Sequence, residues 1–293
     1  MKLRDSYHIY AGATIILWAS SYIMTRIALT HFSPLSLGFL RYFLAAVFLS
    51  ICIIATKTPL PKLKDVPFMF CSGLAGFGLY VLCFNMGSVT VASAISSVVM
   101  ATSPVWTAIL ALIFFKEKLK AFQWIAVAIE FFGIVVLALY GSDVHLSTGV
   151  LWIVVAAILV SIYNVAQRQL LKTYTPFQAT AFCMILGMLP LFIFSPSAFA
   201  EISGAEPRHI ICLLLLGTMT SAVAYMFWAM AFKKASAISQ VTNYMFLTPF
   251  LATFFGFIVG GEVPSVSSIV GGVIIMTGVF LFYKDNFLRK NVI

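Results

Sequence analysis

Long apolar stretches separated by short polar joints run the whole length of the chain. They fall at approximately residues 8–30, 34–56, 65–87, 91–115, 119–140, 147–170, 176–196, 208–233, 238–260 and 264–284. A bilayer's hydrocarbon core takes about 20 apolar residues in helical form, and each stretch is long enough. Strands of a membrane barrel would be about ten residues long with alternating polarity, a pattern these stretches lack. Lipid offers no partners to backbone N–H and C=O groups, and a helix satisfies its own. The pattern predicts an all-α integral membrane protein with ten transmembrane helices.

Composition removes the soluble alternative. Of the 293 residues, 62% are hydrophobic and 9% are charged, against about 25% charged in soluble domains. Water-facing positions would run out of polar side chains, so the principal partner is the lipid bilayer. The formal net charge of +9 raises the question of nucleic acid. The basic residues are scattered through short joints and form no stripe, so no nucleic-acid partner is expected. The five cysteines lie inside apolar runs without a CxxC pair and read as small hydrophobes. Lys2 and Arg4 before an apolar run resemble a signal peptide, but the run is too long for one, and an uncleaved first helix is expected.

The basic residues also predict orientation. Lys2, Arg4, Lys57, Lys62, Lys64, Lys116, Lys118, Lys120, Arg168, Lys172, Lys233, Lys234, Lys284, Arg289 and Lys290 fall on one side of a ten-helix path. Only Arg208 falls on the other, while Arg26 and Arg41 lie within spans. An extra or missing helix would scramble this segregation. The positive-inside rule then puts both termini in the cytoplasm.

A shift of 145 residues superposes Tyr80 on Tyr225, Pro104 on Pro249, Glu117 on Glu262 and Gly133 on Gly278. The segment ASAIS at 92–96 recurs at 235–239, two residues out of that register. Ser20 and Tyr22 meet Ser161 and Tyr163 at a shift of 141. The chain therefore divides into a first five-helix repeat, 1–143, and a second, 144–293. Five is odd, so the second repeat enters the membrane from the opposite side. Inverted repeats of this kind are common in secondary transporters, where two similar halves can exchange conformations.

These landmarks carry a resemblance. Gly12, Trp18 and Ser21 in the first helix, Ser33-Pro34 with Arg41 seven residues on, and the doubled order of proline, glutamate and glycine resemble the drug/metabolite transporter superfamily in its ten-helix EamA-type branch. The resemblance covers essentially the whole chain. It implies export or uptake of amino acids, nucleoside-like metabolites, quaternary amines or drugs. It departs at Leu186, which stands where the second repeat would match Arg41, and at Ala126, near a common glycine position.

Polar and aromatic residues inside the spans are the candidate substrate-binding residues. They are Trp18, Ser21, Tyr22, Tyr80, Asn85, Ser97 and Trp106 in the first repeat. The second adds Tyr163, Asn164, Gln167, Tyr225, Trp228, Asn243 and Tyr244. A hydroxyl or amide gains nothing from hydrocarbon, so these should face inward, either around a cavity or as interhelical bonds worth about 0.6 kcal/mol each. Aromatic rings can stack on a substrate or hold a cation.

Glu130 is the only acid in the middle of a span. A charge there costs about 2.5–3.5 kcal/mol, so it reads either as a coupling site for a proton or cation, or as a neutral group bonded across a helix or homodimer contact. Arg26 and Arg41 could attract a carboxylate or phosphate, or fix loops. Pro104 and Pro249 are hinge candidates, and Glu117 and Glu262 read as helix caps.

Enzyme readings find no support. The histidines sit at span ends, and no P-loop, HExxH or metal-ligand cluster occurs. No cofactor and no metal are expected. The expected function is secondary transport, most simply export, of small metabolites such as neutral or aromatic amino acids across the plasma (bacterial inner) membrane. The alternatives are a quaternary-amine (choline-like) or drug transporter and, in another class, a non-transporting membrane scaffold, which the short loops disfavour.

Overall fold

The computed structural model describes residues 7–115, 121–139, 148–234, 241, 243–264 and 266–282. Glu117, the recurrence at 235–239, the side chain of Asn243 and the basic residues of both termini lie outside the described residues. Among the described residues the chain is helical, without strands. The elements are α1 (Tyr7–Ala28), α2 (Pro34–Ala55), α3 (Leu63–Ser88), α4 (Ser93–Met100 and Ser103–Phe115), α5 (Ala121–Leu139), α6 (Thr148–Leu170), α7 (Pro176–Ile202), α8 (Pro207–Leu215 to Ala224–Lys234), α9 (Thr248–Gly260) and α10 (Val266–Phe282).

Six helices within the described residues are long and apolar enough to cross a membrane: α2, α3, α4, α6, α7 and α8. Shorter apolar helices run over Ala121–Gly133, Thr248–Gly260 and Ile269–Phe282. α1 is as long as α2 but carries Trp18, Ser20, Ser21, Tyr22, Thr25 and Arg26. Its polar content serves the interior of the protein, as shown below.

Local sequence explains the starts. Ser33 caps α2 by accepting from the Ser36 N–H, with Pro34 in the first turn. Thr175 and Gln178 form a capping box at α7, with Pro176 in the first turn. Proline is tolerated there because its missing N–H has no helical partner anyway. Outward faces are apolar, with Ile51, Ile54, Phe132, Ile211 and Phe257 exposed. The buried set includes Thr14, Ser21, Ser96, Ser161 and Thr220. This inversion of polarity suits a lipid solvent.

Glycine sets the closest crossings. A Cβ on Gly73 would fall inside the Cys183 carbonyl, and one on Gly187 inside the Gly73 backbone. α3 and α7 thus touch backbone to backbone. Gly133 abuts Ile275, and Gly278 abuts Glu130 with the Ala126 carbonyl. These two glycines, 145 residues apart, face each other's helix across one α5–α10 contact.

Neither α3 nor α8 is a regular helix. Each contains a π-helical stretch, Leu74–Leu79 in α3 and Leu216–Val223 in α8. Such wide turns concentrate at functional sites. α4 is interrupted at Ala101 and Thr102, and α9 is preceded by the 3₁₀ turn Asn243–Leu247.

Candidate functional site

Residues just past the π-helical stretches of α3 and α8, the break in α4 and the turn before α9 meet α1, α2 and α6 around a cavity of about 750 Å³, counted with the open space at its mouth. Its wall is drawn from both halves of the chain. Trp18, Ser21 and Tyr22 come from α1, Arg41 from α2, Tyr80 from α3, and Met100, Ala101 and Ser103 from α4. Val160, Tyr163 and Asn164 come from α6, Tyr225 and Trp228 from α8, and Met245 and Thr248 from the start of α9.

The sequence-predicted candidates divide cleanly. Trp18, Ser21, Tyr22, Tyr80, Tyr163, Asn164, Tyr225 and Trp228 meet in this wall. Trp18 packs edge-on against Tyr225, ring centroids 5.1 Å apart, and lies 5.0 Å from Trp228. Tyr225 in turn contacts Phe77, which contacts Tyr163. Edge-to-face aromatics of this kind make a stiff apolar wall.

Other candidates are absent from the wall's lining and bond the backbone or neighbouring side chains. Asn85 Nδ2 donates to the Pro34 carbonyl at 3.0 Å and ties α3 to the start of α2. Ser97 Oγ donates to Ala94 O within its own helix. Trp106 Nε1 donates to Thr102 Oγ1 at 3.1 Å, and its ring meets Phe131. Gln167 Nε2 donates to Tyr163 Oη and Thr180 Oγ1, behind the wall. Tyr244 Oη bonds the His8 ring, joining the start of α9 to α1.

Pro104 and Pro249 are not mid-helix kinks. Each is the second residue of a regular segment that begins at a cavity residue, Ser103 or Thr248. The irregular backbone lies before them. At the α4 break the Ser103 carbonyl accepts from Ser161 Oγ at 2.8 Å. The same carbonyl accepts from Thr107 Oγ1 at 2.9 Å, so a side chain of α6 is tied to the first turn of α4 after the break.

Glu130 is absent from the cavity wall. It is 2% exposed on α5, its Cγ lies against Gly278 of α10, and its Oε1 meets no hydrogen-bond donor. Its immediate neighbours are packing groups. We expect Glu130→Gln, equal in shape, to keep folded yield and exchange rate within about twofold of wild type, read by counterflow in proteoliposomes.

Two arginines found distinct places. Arg26, at the end of α1, pairs with Glu262 at 3.0 Å rather than reaching out alone to the interface. The same carboxylate accepts from the Ser93 N–H at 3.0 Å and from Ser93 Oγ at 3.1 Å. Glu262 therefore joins the ends of α1, α4 and α9. Arg41, for which the sequence allows either a loop anchor or a ligand, enters the cavity wall. The distinguishing signal is faint: an arginine two turns into a span, with no acid nearby in sequence to neutralise it.

The EamA-like transporter family model matches residues 6–139 and again 147–284. The chain is 30% identical over 276 residues to the uncharacterized transporter YdfC of Bacillus subtilis, covering 94% of this chain and 90% of the relative. It is 26% identical over 277 residues to a probable terminal-alkyne amino-acid exporter of Streptantibioticus cattleyicolor, covering 94% and 93%. A crystal structure 17% identical in sequence shares the fold, with TM-score 0.64 and coverage of 98% of this chain and 97% of the other. Apolar helices around a central cavity, and relatives that are transporters, fit an integral protein of the plasma membrane. The chain belongs to the EamA-like transporter family.

Proposed function

We propose that the chain is a secondary transporter of ten spans, built as an inverted repeat of 1–143 and 144–293 with both termini cytoplasmic, that exports neutral or aromatic amino acids by alternating access. The observation that carries this reading is the central cavity, walled by aromatic rings from both repeats. The repeat register supports it. π-helical turns precede or abut both Tyr80 and Tyr225, irregular backbone precedes both Pro104 and Pro249, and both halves match one family model. Interrupted helices meeting at a central site are the usual construction of alternating-access carriers. The relative named a probable terminal-alkyne amino-acid exporter supports the substrate class.

A quaternary amine would also suit the faces of Trp18 and Trp228. Arg41 places a fixed cation in the same wall and disfavours that alternative. A scaffold role would leave the cavity unexplained.

The test is counterflow in proteoliposomes preloaded with L-phenylalanine or with choline. We expect exchange of phenylalanine, lowered at least about tenfold by Trp18→Ala or Tyr225→Ala, each of which removes a wall ring whose apolar contact is worth about 1.5–3 kcal/mol. Exchange of choline with none of phenylalanine would refute the substrate assignment.

A further inference from the structure

We infer that Arg41 binds a carboxylate of the transported molecule inside the central cavity. The inference rests on the reading that this cavity carries the substrate.

The guanidinium is held but not saturated. Arg41 is 3% exposed and lies on α2. Gly217 lets α8 approach, because a Cβ there would lie 2.6 Å from Leu44 Cβ and 3.0 Å from the Arg41 carbonyl. That approach brings the π-helical stretch Leu216–Val223 beside the arginine. The widened turn presents two successive hydroxyls. Arg41 Nε donates to Ser221 Oγ at 2.8 Å, and Nη2 donates to Thr220 Oγ1 at 3.2 Å. Nη1 is buried and has no hydrogen-bond partner.

A buried guanidinium normally meets a carboxylate, since an uncompensated charge away from water is costly. Among the described residues, the acid of each ion pair belongs elsewhere: Glu262 to Arg26 and Glu206 to Arg208. Two neutral hydroxyls orient the fork, and the Tyr42 ring lies 5.7 Å from its central carbon; none of the three carries a negative charge. The unpartnered nitrogen belongs to a side chain in the cavity wall, beside Tyr22, Tyr80 and Tyr225. An anion entering the cavity would supply the missing acceptor and the missing charge together. One free nitrogen and one positive charge fit a carboxylate. A phosphate with nearly two charges would call for a second cation, and Leu186 stands where the repeat would have placed one. The single arginine also makes the pseudosymmetric cavity directional, with the acid end of the cargo held at the α2–α8 side.

The probes are phenylacetate, its neutral amide phenylacetamide, phenyl phosphate and the cation phenyltrimethylammonium. Each is titrated into the full chain in nanodiscs, with the fluorescence of Trp18 and Trp228 as readout. Wild type should bind phenylacetate at least about tenfold more tightly than phenylacetamide, in keeping with a hydrogen bond to a charged group. R41Q should bring that ratio near one, and R41K should keep part of it, losing the fork but not the charge. A ratio near one in wild type, or equal weakening of acid and amide by R41Q, would overturn the inference. Tighter binding of phenyl phosphate than of phenylacetate would overturn the assignment to a carboxylate. The wild-type ratio decides the matter even if R41Q fails to fold. Binding of the amide as tightly as the acid would sink the anchor alone, whereas binding of none of the four would remove the cavity reading with it.

Discussion

Gly73→Val should leave almost no folded protein in the membrane. The crossing of α3 and α7 has no room at this point, because the added Cβ lands on the Cys183 carbonyl, and the facing Gly187 is equally tight against Gly73. The obstructing atoms are backbone, so no side-chain rotation relieves them. The cost should exceed the ~1–3 kcal/mol of ordinary overpacking. The consequence reaches the site, since Gly76 on the same helix is pressed against Tyr163 and Tyr80 follows one turn later. A one-ångström shift of α3 would move two residues of the cavity wall. Gly12→Val is the matched control, because nothing lies within 4 Å of a Cβ there. Monodisperse yield after extraction and the midpoint of thermal unfolding check both. A Gly73→Val protein with a midpoint within about 2 °C of wild type would show the crossing to be soft.

What the sequence could announce follows from how each signal is encoded. A helix in lipid advertises itself through a long apolar run, and the described helices lie where those runs lie, α1 included. The wall residues Trp18, Tyr22, Tyr80, Tyr163, Tyr225 and Trp228 were legible because a large amphipathic ring in mid-span has few alternatives to an inward position. Asn85 and Ser97 carry the same polarity but spend it on carbonyls close at hand. Which carbonyl lacks a partner depends on where helices break, and this no single residue type reports. The π-helical stretches are the clearest case. LAGFGL and LGTMTSAV read as ordinary helix, since widening a turn by one residue needs no special side chain. Arg41 was ambiguous for the same reason, its partners being set by the wide turn of another helix.

Glu262→Ala should open one mouth of the cavity, and the reason is how the chain delivers that carboxylate. α9 ends at Gly260, and Gly261 takes a left-handed conformation with φ 63°. The Gly261 N–H bonds Phe257 O and the Glu262 N–H reaches back to Gly256 O at 3.0 Å, the reversal expected of a glycine cap. Glu262 is thereby folded against Gly256, whose missing side chain makes the space. From there one carboxylate holds Arg26 of α1 and both the N–H and the hydroxyl of Ser93, where α4 begins. The negative charge sits at the positive end of α4, and Arg26 at the negative end of α1, so both helix dipoles favour it. α1, α4 and the segment beginning at Thr248 all line the cavity, so a clasp on their ends should hold that side of it closed. In the orientation proposed above it is the external mouth.

The ion pair alone would contribute little, since its side chains are 33% and 16% exposed. The bonds from Ser93 to a charged acceptor carry more, about 1.5–3 kcal/mol each. Removing the carboxylate should therefore shift the closed-to-open ratio at least tenfold. Arg26→Gln should do less because the Ser93 bonds survive, and Glu262→Gln should fall between, its amide oxygen still accepting from the Ser93 N–H. The readout is the labelling rate of Ser97→Cys, a buried position one turn into α4, by an impermeant maleimide on a background without the native cysteines. Added salt should raise labelling of wild type only modestly, because the dominant bonds are partly buried. Labelling that ranks Arg26→Gln above Glu262→Ala would mean that the ion pair, and not the grip on α4, holds the mouth closed.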